Sequence, residues 1–233
     1  MICSIGSTLL FGILALGADA KQESIGYLWD QKSDGKGGVT RTAIPYVPRE
    51  GDVLLFDDMS EWWTFLYKIA GTAPPFHAGI VMKKPDGQLA VLESGPDDTL
   101  HVFILDIHPR LTEFSGSIQV RQAKRELTKE ESERLTNFAV AQEGKRYAMW
   151  RLLLQGTYVR HRGGLKEKYL ATTYFDRKRW LCAEIVVTAA TMVGLMDPNE
   201  VKATTTYPLD MVDDVRFDLS ATYGPTMFWS TQK

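Results

Sequence analysis

The chain has 233 residues, 27 Lys and Arg against 29 Asp and Glu, and a formal net charge of −2. That length and ordinary composition suit a single globular domain of moderate size with short additions. No long block of one charge sign occurs, so a basic nucleic-acid-binding face is excluded.

At the N-terminus, Ile5 to Leu16 is apolar and rich in small residues. Ala18-Asp19-Ala20 follows, then polar Lys21-Gln22-Glu23-Ser24. This is the shape of a signal peptide cleaved after Ala20, although no Lys or Arg stands ahead of the apolar run. The stretch is too short to span a bilayer comfortably. The expected organisation is a signal peptide over 1–20 and one domain over 21–233, exported to the periplasm or beyond, with no integral membrane segment in the mature chain. Cleavage would remove Cys3 and leave Cys182 as the only thiol. A disulfide framework is then excluded, and an unpaired cysteine in an exported chain is a candidate reactive group.

Gln31 to Thr40 is Gly- and Lys-rich and reads as a loop. Ile44-Pro45-Tyr46-Val47-Pro48 is an extended lead-in, because proline cannot donate to a central ladder. Gly51-Asp52 opens a strand over Val53 to Phe56. Ser60 is placed to cap a helix over Glu61 to Ala70, with Trp62, Phe65, Leu66 and Ile69 on one face. His77 to Met82 and Leu89 to Glu93 flank a Pro85-Asp86-Gly87 turn, a hairpin signal. Further strands are expected around Val102 to Leu105 and Ile118 to Arg121, with Ile107-His108-Pro109 as a turn between them.

Thr128 and Glu131 form a capping-box pattern opening a helix whose inward stripe is Leu135, Phe138 and Ala139, stopped at Gly144. Tyr147 to Leu154 reads as a short helix, and Arg160 to Lys168 as a basic loop. Asp176 to Trp180 reads as a charged, Trp-bearing loop, Leu181 to Val193 as an apolar helix ending at Gly194, and Pro208 to Val212 as a short helix with Pro in its first turn. The tail is expected to end in a strand near Val215 to Leu219. Strands followed by helices indicate an α+β arrangement, an antiparallel sheet packed against helices.

Cys182 falls in the first turn of its helix, where free N–H groups and the helix dipole favour an anion, so its thiol is expected to ionise readily and act as a nucleophile. Such a nucleophile needs a base and a group to orient that base. Of His77, His101, His108 and His161, His77 is the best placed, at the rigid start of a strand and beside small residues. Across the Pro-Asp-Gly turn, antiparallel pairing brings Glu93 near it. A carboxylate ending an apolar run is costly to bury without a partner. A metal site from Cys182 and His77 lacks two further ligands at sensible spacing, and no cofactor is called for.

His77-Ala78-Gly79-Ile80-Val81, Glu93 downstream, and then Cys182-Ala183-Glu184-Ile185-Val186 resemble the circularly permuted papain-like hydrolases, the YiiX/YebB-like relatives of NlpC-type cell-wall peptidases. The order histidine, acid, cysteine is that of the permuted group. The resemblance extends over about Glu50 to Val215, through Gly51-Asp52-Val53-Leu54, Gly144-Lys145-Arg146-Tyr147 and Tyr207-Pro208-Leu209-Asp210. It implies Cys182 as nucleophile, His77 as general base, Glu93 as the orienting acid, and an oxyanion site using the Cys182 N–H. Ala183 departs from the Ser frequent at that position. The implied activity is hydrolysis of an amide through a thioester, on a peptide or acyl-amide substrate such as peptidoglycan. The alternatives are lipid-directed acyltransferase or thioesterase chemistry on the same triad, and a non-catalytic binding domain.

Overall fold

The computed structural model describes residues 23–33, 39–58, 61, 64, 65, 68, 72–95, 100–155, 157, 163, 167–169 and 171–233. The signal peptide expected over 1–20 lies outside them. Ten strands are described: β1 (Tyr27–Ser33), β2 (Val39–Pro45), β3 (Val53–Asp57), β4 (His77–Lys83), β5 (Leu89–Ser94), β6 (Val102–Asp106), β7 (Ser117–Ala123), β8 (Arg146–Tyr147), β9 (Arg179–Trp180) and β10 (Tyr223–Ser230). The α-helices are α1 (Ile107–Glu113), α2 (Lys129–Gln142), α3 (Met149–Gln155) and α4 (Cys182–Met192), with 3-10 turns at Ala203–Thr205 and Pro208–Met211.

Eight strands form one antiparallel sheet in the order β2-β1-β10-β7-β3-β4-β5-β6, while β8 and β9 pair in parallel beside it. The chain is an α+β protein. Its middle strands are apolar at nearly every position because both faces are covered. On one face Leu55, Ala78, Ile80, Met82, Ala90 and Leu92 pack with α2 and α4. On the other, Leu54, Phe56, Val81 and Val91 pack with Ile107 and Leu111 of α1.

Two local rules from the sequence hold. Thr128 and Glu131 exchange the two bonds of the capping box at the start of α2. Gly194, just past α4, has φ +67°, the left-handed conformation that glycine adopts without a Cβ penalty.

Several expectations are corrected. The stretch expected as a loop over Gln31 to Thr40 contributes Gln31–Ser33 to β1 and Val39–Thr40 to β2, which pair with each other; residues 34–38 lie outside the described set. Pro45 is tolerated because β2 is an edge strand. Val215 to Leu219 is not a strand: Asp214 accepts from the Leu219 N–H and from Arg121, folding the segment into turns. The last strand is instead β10, whose ladder with β7 shifts register between Tyr223 and Thr226, the interval containing Pro225. Of the helix expected over 61–70, residues 61, 64, 65 and 68 are described and helical, with Phe65 exposed. Trp62, Leu66 and Ile69 lie outside the described residues. So does most of Arg160 to Lys168.

Candidate functional site

Cys182 is the first residue of α4 and is buried. Its position is set by the residue two before it. Trp180, fully buried, donates its indole N–H to Gln142 of α2 at 3.0 Å and meets the Phe138 ring edge-on. Its carbonyl accepts from Ser94 at the end of β5 and from the Ala148 N–H. The end of the expected charged loop is therefore a short strand, β9, whose buried Trp180 fixes the entry to α4.

Glu184 reaches back to the Leu181 N–H at 3.2 Å, the carboxylate half of a capping box, and is bonded to Arg151 and to Arg177. Its role is structural. In the first turn the amide of Cys182 has no acceptor within the helix.

His77 is the first residue of β4, opposite Phe56 of β3. Its Nε2 lies 2.6 Å from Glu93 Oε2, with both side chains buried. Glu93 is not its direct cross-strand partner; Gly79 is. The carboxylate reaches the imidazole diagonally, across a position with no side chain. A Cβ on Gly79 would stand 2.8 Å from Glu93 Cγ and 2.6 Å from Val91 Cγ1. The glycine is the gap through which the acid reaches the base.

Arg110 of α1 completes the cluster. Its Nε donates to Glu93 Oε1 and its Nη2 to Oε2, both at 2.8 Å. The guanidinium stacks over Phe56 at 4.6 Å and Phe114 at 5.2 Å. Sequence reasoning missed this residue because Ile107-His108-Pro109 was expected as a turn. The available signal was Asp106 as N-cap with Pro in the first turn, and Ile107, Arg110 and Leu111 at helical spacing.

Cys182 comes from a helix on one face of the sheet and Arg110 from a helix on the other. They converge where the strands end. The Cys182 thiol donates to the carbonyl of Phe76, the residue before His77, at 3.9 Å. His77 Nδ1, the ring nitrogen facing away from Glu93, is buried and makes no hydrogen bond. Burial pulls the imidazole pKa down, but the interactions with Cys182 and Glu93 outweigh it and hold it well above its ordinary value. Burial would likewise raise the Glu93 carboxyl. The bonds from His77 and Arg110 prevail and keep it below the usual carboxylate range.

A cleft of about 30 Å³ opens at the thiol, lined by Phe76, Tyr147, Leu152, Leu181, Cys182 and Tyr207. A larger hollow of about 950 Å³ lies around the β4–β5 turn, among Arg49, Lys83 and Asp106, at the other end of the sheet from this chemistry. His101 and His108 are exposed and stand outside the cluster, and His161 is not among the described residues.

The fold is similar to that of YiiX. That Escherichia coli O157:H7 metalloprotein shares 18% identity with this chain at a TM-score of 0.43, covering 65% of this chain and 69% of its own. No family model and no curated protein matches. Metal binding is named for YiiX. Among the described residues here, no three His, Cys, Asp or Glu are grouped to hold an ion, and both Glu93 oxygens are already bonded to Arg110 and His77. No helix among the described residues is long and apolar enough to cross a membrane.

Proposed function

We propose that the protein is a cysteine hydrolase of the permuted papain-like group, cleaving an amide bond through Cys182, His77 and Glu93. The observation that carries this reading is the state of His77. One ring nitrogen is held by a carboxylate, while the other is buried, unbonded and electrostatically coupled to the only free thiol among the described residues. In this reading the Cys182 proton passes to His77 Nδ1, and the thiolate attacks the carbonyl to form a thioester. The imidazolium then protonates the leaving amine, and water, deprotonated by His77, releases the acid. The Cys182 N–H contributes to oxyanion stabilisation. Export with loss of residues 1–20 belongs to the same proposal, with a peptide such as that of peptidoglycan as substrate.

An acyl-chain substrate is the second reading. Trp150, Leu153 and Leu154, exposed on neighbouring α3, favour it. A panel of cell-wall peptides and acyl esters tests both: hydrolysis of a responsive substrate is expected to vanish in Cys182→Ala and in His77→Ala. Full activity retained in both variants rules out the triad.

A further inference from the structure

The two sides of α3 have different surroundings. Leu152 and Gln155 line the cleft at Cys182, and Met149 and Leu152 pack against Tyr147, Ala148 and Leu181. Trp150, Leu153 and Leu154, spaced i, i+3 and i+4, form one stripe on the outside. Such a stripe normally faces a core. Here Trp150 is 72% exposed, Leu153 50% and Leu154 44%. The apolar surface does not stop at the helix. Arg151 of α3 and Arg177 both bond to Glu184, and the Arg177 guanidinium lies 4.5 Å from the centre of the Tyr174 ring. The segment carrying Tyr174 and Phe175 is thereby held beside α3, and both of its rings are exposed. A concentration of large apolar side chains in water marks an interaction surface.

The charges beside it indicate what covers it. β8 and β9 place Arg146 opposite Arg179, with both side chains exposed, and Lys178 next to them is exposed as well. Among the described residues, none of these three cations has an ion-pair partner. The acidic groups in the same stretch are already engaged, Asp176 by Lys145 and Glu184 by the two arginines. Aromatic rings and leucines bordered by Arg and Lys suit the headgroup region of an anionic bilayer. The apolar groups enter the acyl boundary while the cations stay with the phosphates. A second copy of the chain suits the surface less, because a two-fold contact would crowd two sets of the same cations together.

We infer that this face, α3 together with residues 174–179, is a docking surface for a bilayer of anionic phospholipid. Docking would set the mouth of the Cys182 cleft at the boundary between lipid and water. The inference goes beyond the hydrolase reading and does not depend on it.

The test is binding of the full chain to vesicles of equal parts phosphatidylglycerol and phosphatidylcholine, against phosphatidylcholine alone, with amide hydrogen exchange read by mass spectrometry. The apolar stretch Ile5 to Leu16 could itself enter lipid. Binding is therefore judged between variants that share it, and by exchange within 149–155 and 174–179. Those two segments are expected to exchange more slowly with the anionic vesicles. Trp150→Ala and Leu153→Ala are each expected to weaken binding by about tenfold, the effect of withdrawing one large apolar side chain from lipid. Lys178→Gln and Arg179→Gln should each weaken it roughly fivefold on anionic vesicles and leave phosphatidylcholine alone unaffected. Ile44→Ala removes an exposed apolar side chain from the edge strand β2, at the opposite end of the sheet order from β6, and is expected to change nothing.

The substituted side chains are exposed, so the variants are expected to unfold in urea as wild type does; should one not fold, the wild-type exchange pattern decides alone. Exchange within 149–155 that vesicles leave unchanged, or variants that bind as wild type does, overturns the inference. Slowed exchange of the same segments that appears with rising protein concentration and no lipid, together with a doubled mass, identifies a second copy and overturns it too. Vesicle binding is read with no substrate present. Its failure therefore leaves the hydrolase reading standing, and loss of the triad leaves the docking surface standing.

Discussion

Replacing Gly79 with alanine tests the diagonal route by which Glu93 reaches His77. The added methyl would lie 2.6 Å from Val91 Cγ1, 2.8 Å from Glu93 Cγ and 3.3 Å from its Cδ. Carbon atoms rest at about 3.5–4.0 Å, so the two nearer contacts are short by roughly 1 Å. β4 has strands hydrogen-bonded on both sides and apolar layers on both faces, so its backbone has nowhere to retreat. Overpacking of this kind costs about 1–3 kcal/mol. Glu93 can swing aside, which leaves the contact with Val91 in place and also gives up the bond to the imidazole, a charge-assisted contact worth about 1.5–3 kcal/mol. The sum is a loss of about 3 kcal/mol or more, or a fall in Tm on the order of 10 °C for a domain of this size. Urea unfolding measures the stability loss. A double-mutant cycle with Val91→Ala, which removes the closer atom, is expected to show favourable coupling of about 1 kcal/mol. Hydrolysis should fall with the displaced acid. Gly79→Ala with a stability within about 0.5 kcal/mol of wild type and undiminished activity would refute the reasoning.

Asp52 offers a second test, through pH. It accepts from the Tyr46 hydroxyl and from the Arg49 and Ala123 amides, yet burial outweighs these bonds and pushes its pKa up to about 6. A carboxyl whose folded pKa is raised favours folding while protonated. Its contribution is complete below about pH 4 and lost as pH rises through 6, a change on the order of 3 kcal/mol. The unfolding free energy of wild type minus that of Asp52→Asn is therefore expected to decline between pH 4 and 7; a flat or rising difference contradicts the assignment. For the capping box at α2, Thr128→Ala is expected to cost about 1 kcal/mol in urea unfolding, and no measurable loss would mean that the two bonds exchanged by Thr128 and Glu131 contribute nothing net.

Local and alternating patterns in the chain were enough for the hairpin of β4 and β5, for α2 and its cap, and for α4 with Cys182 at its start. Each depends on residues a few positions apart: a Pro-Asp-Gly turn, Thr128 with Glu131, and an apolar stripe closed by Gly194. The same locality explains the failures. β10 contains Pro225, and only its pairing with β7 around a register shift makes it a strand. β1 and β2 flank a polar, Gly-rich segment and are strands because they pair with each other and, through β1, with β10. Trp180 looked like part of a charged loop until Gln142 and Phe138 covered it.

The site divides in the same way. Residue chemistry and order were sufficient to nominate Cys182, His77 and Glu93, because nucleophile, base and acid are scarce residue types in informative positions. Hairpin pairing brought the last two near each other. What the chain alone could not determine was the two-residue offset that makes Gly79, not His77, the partner of Glu93, and the arrival of Arg110 over the opposite face of the sheet. Both are long-range consequences of register and layer packing. A ladder's register and the helix that covers it are chosen by the whole buried surface, not by the few residues at the point of contact.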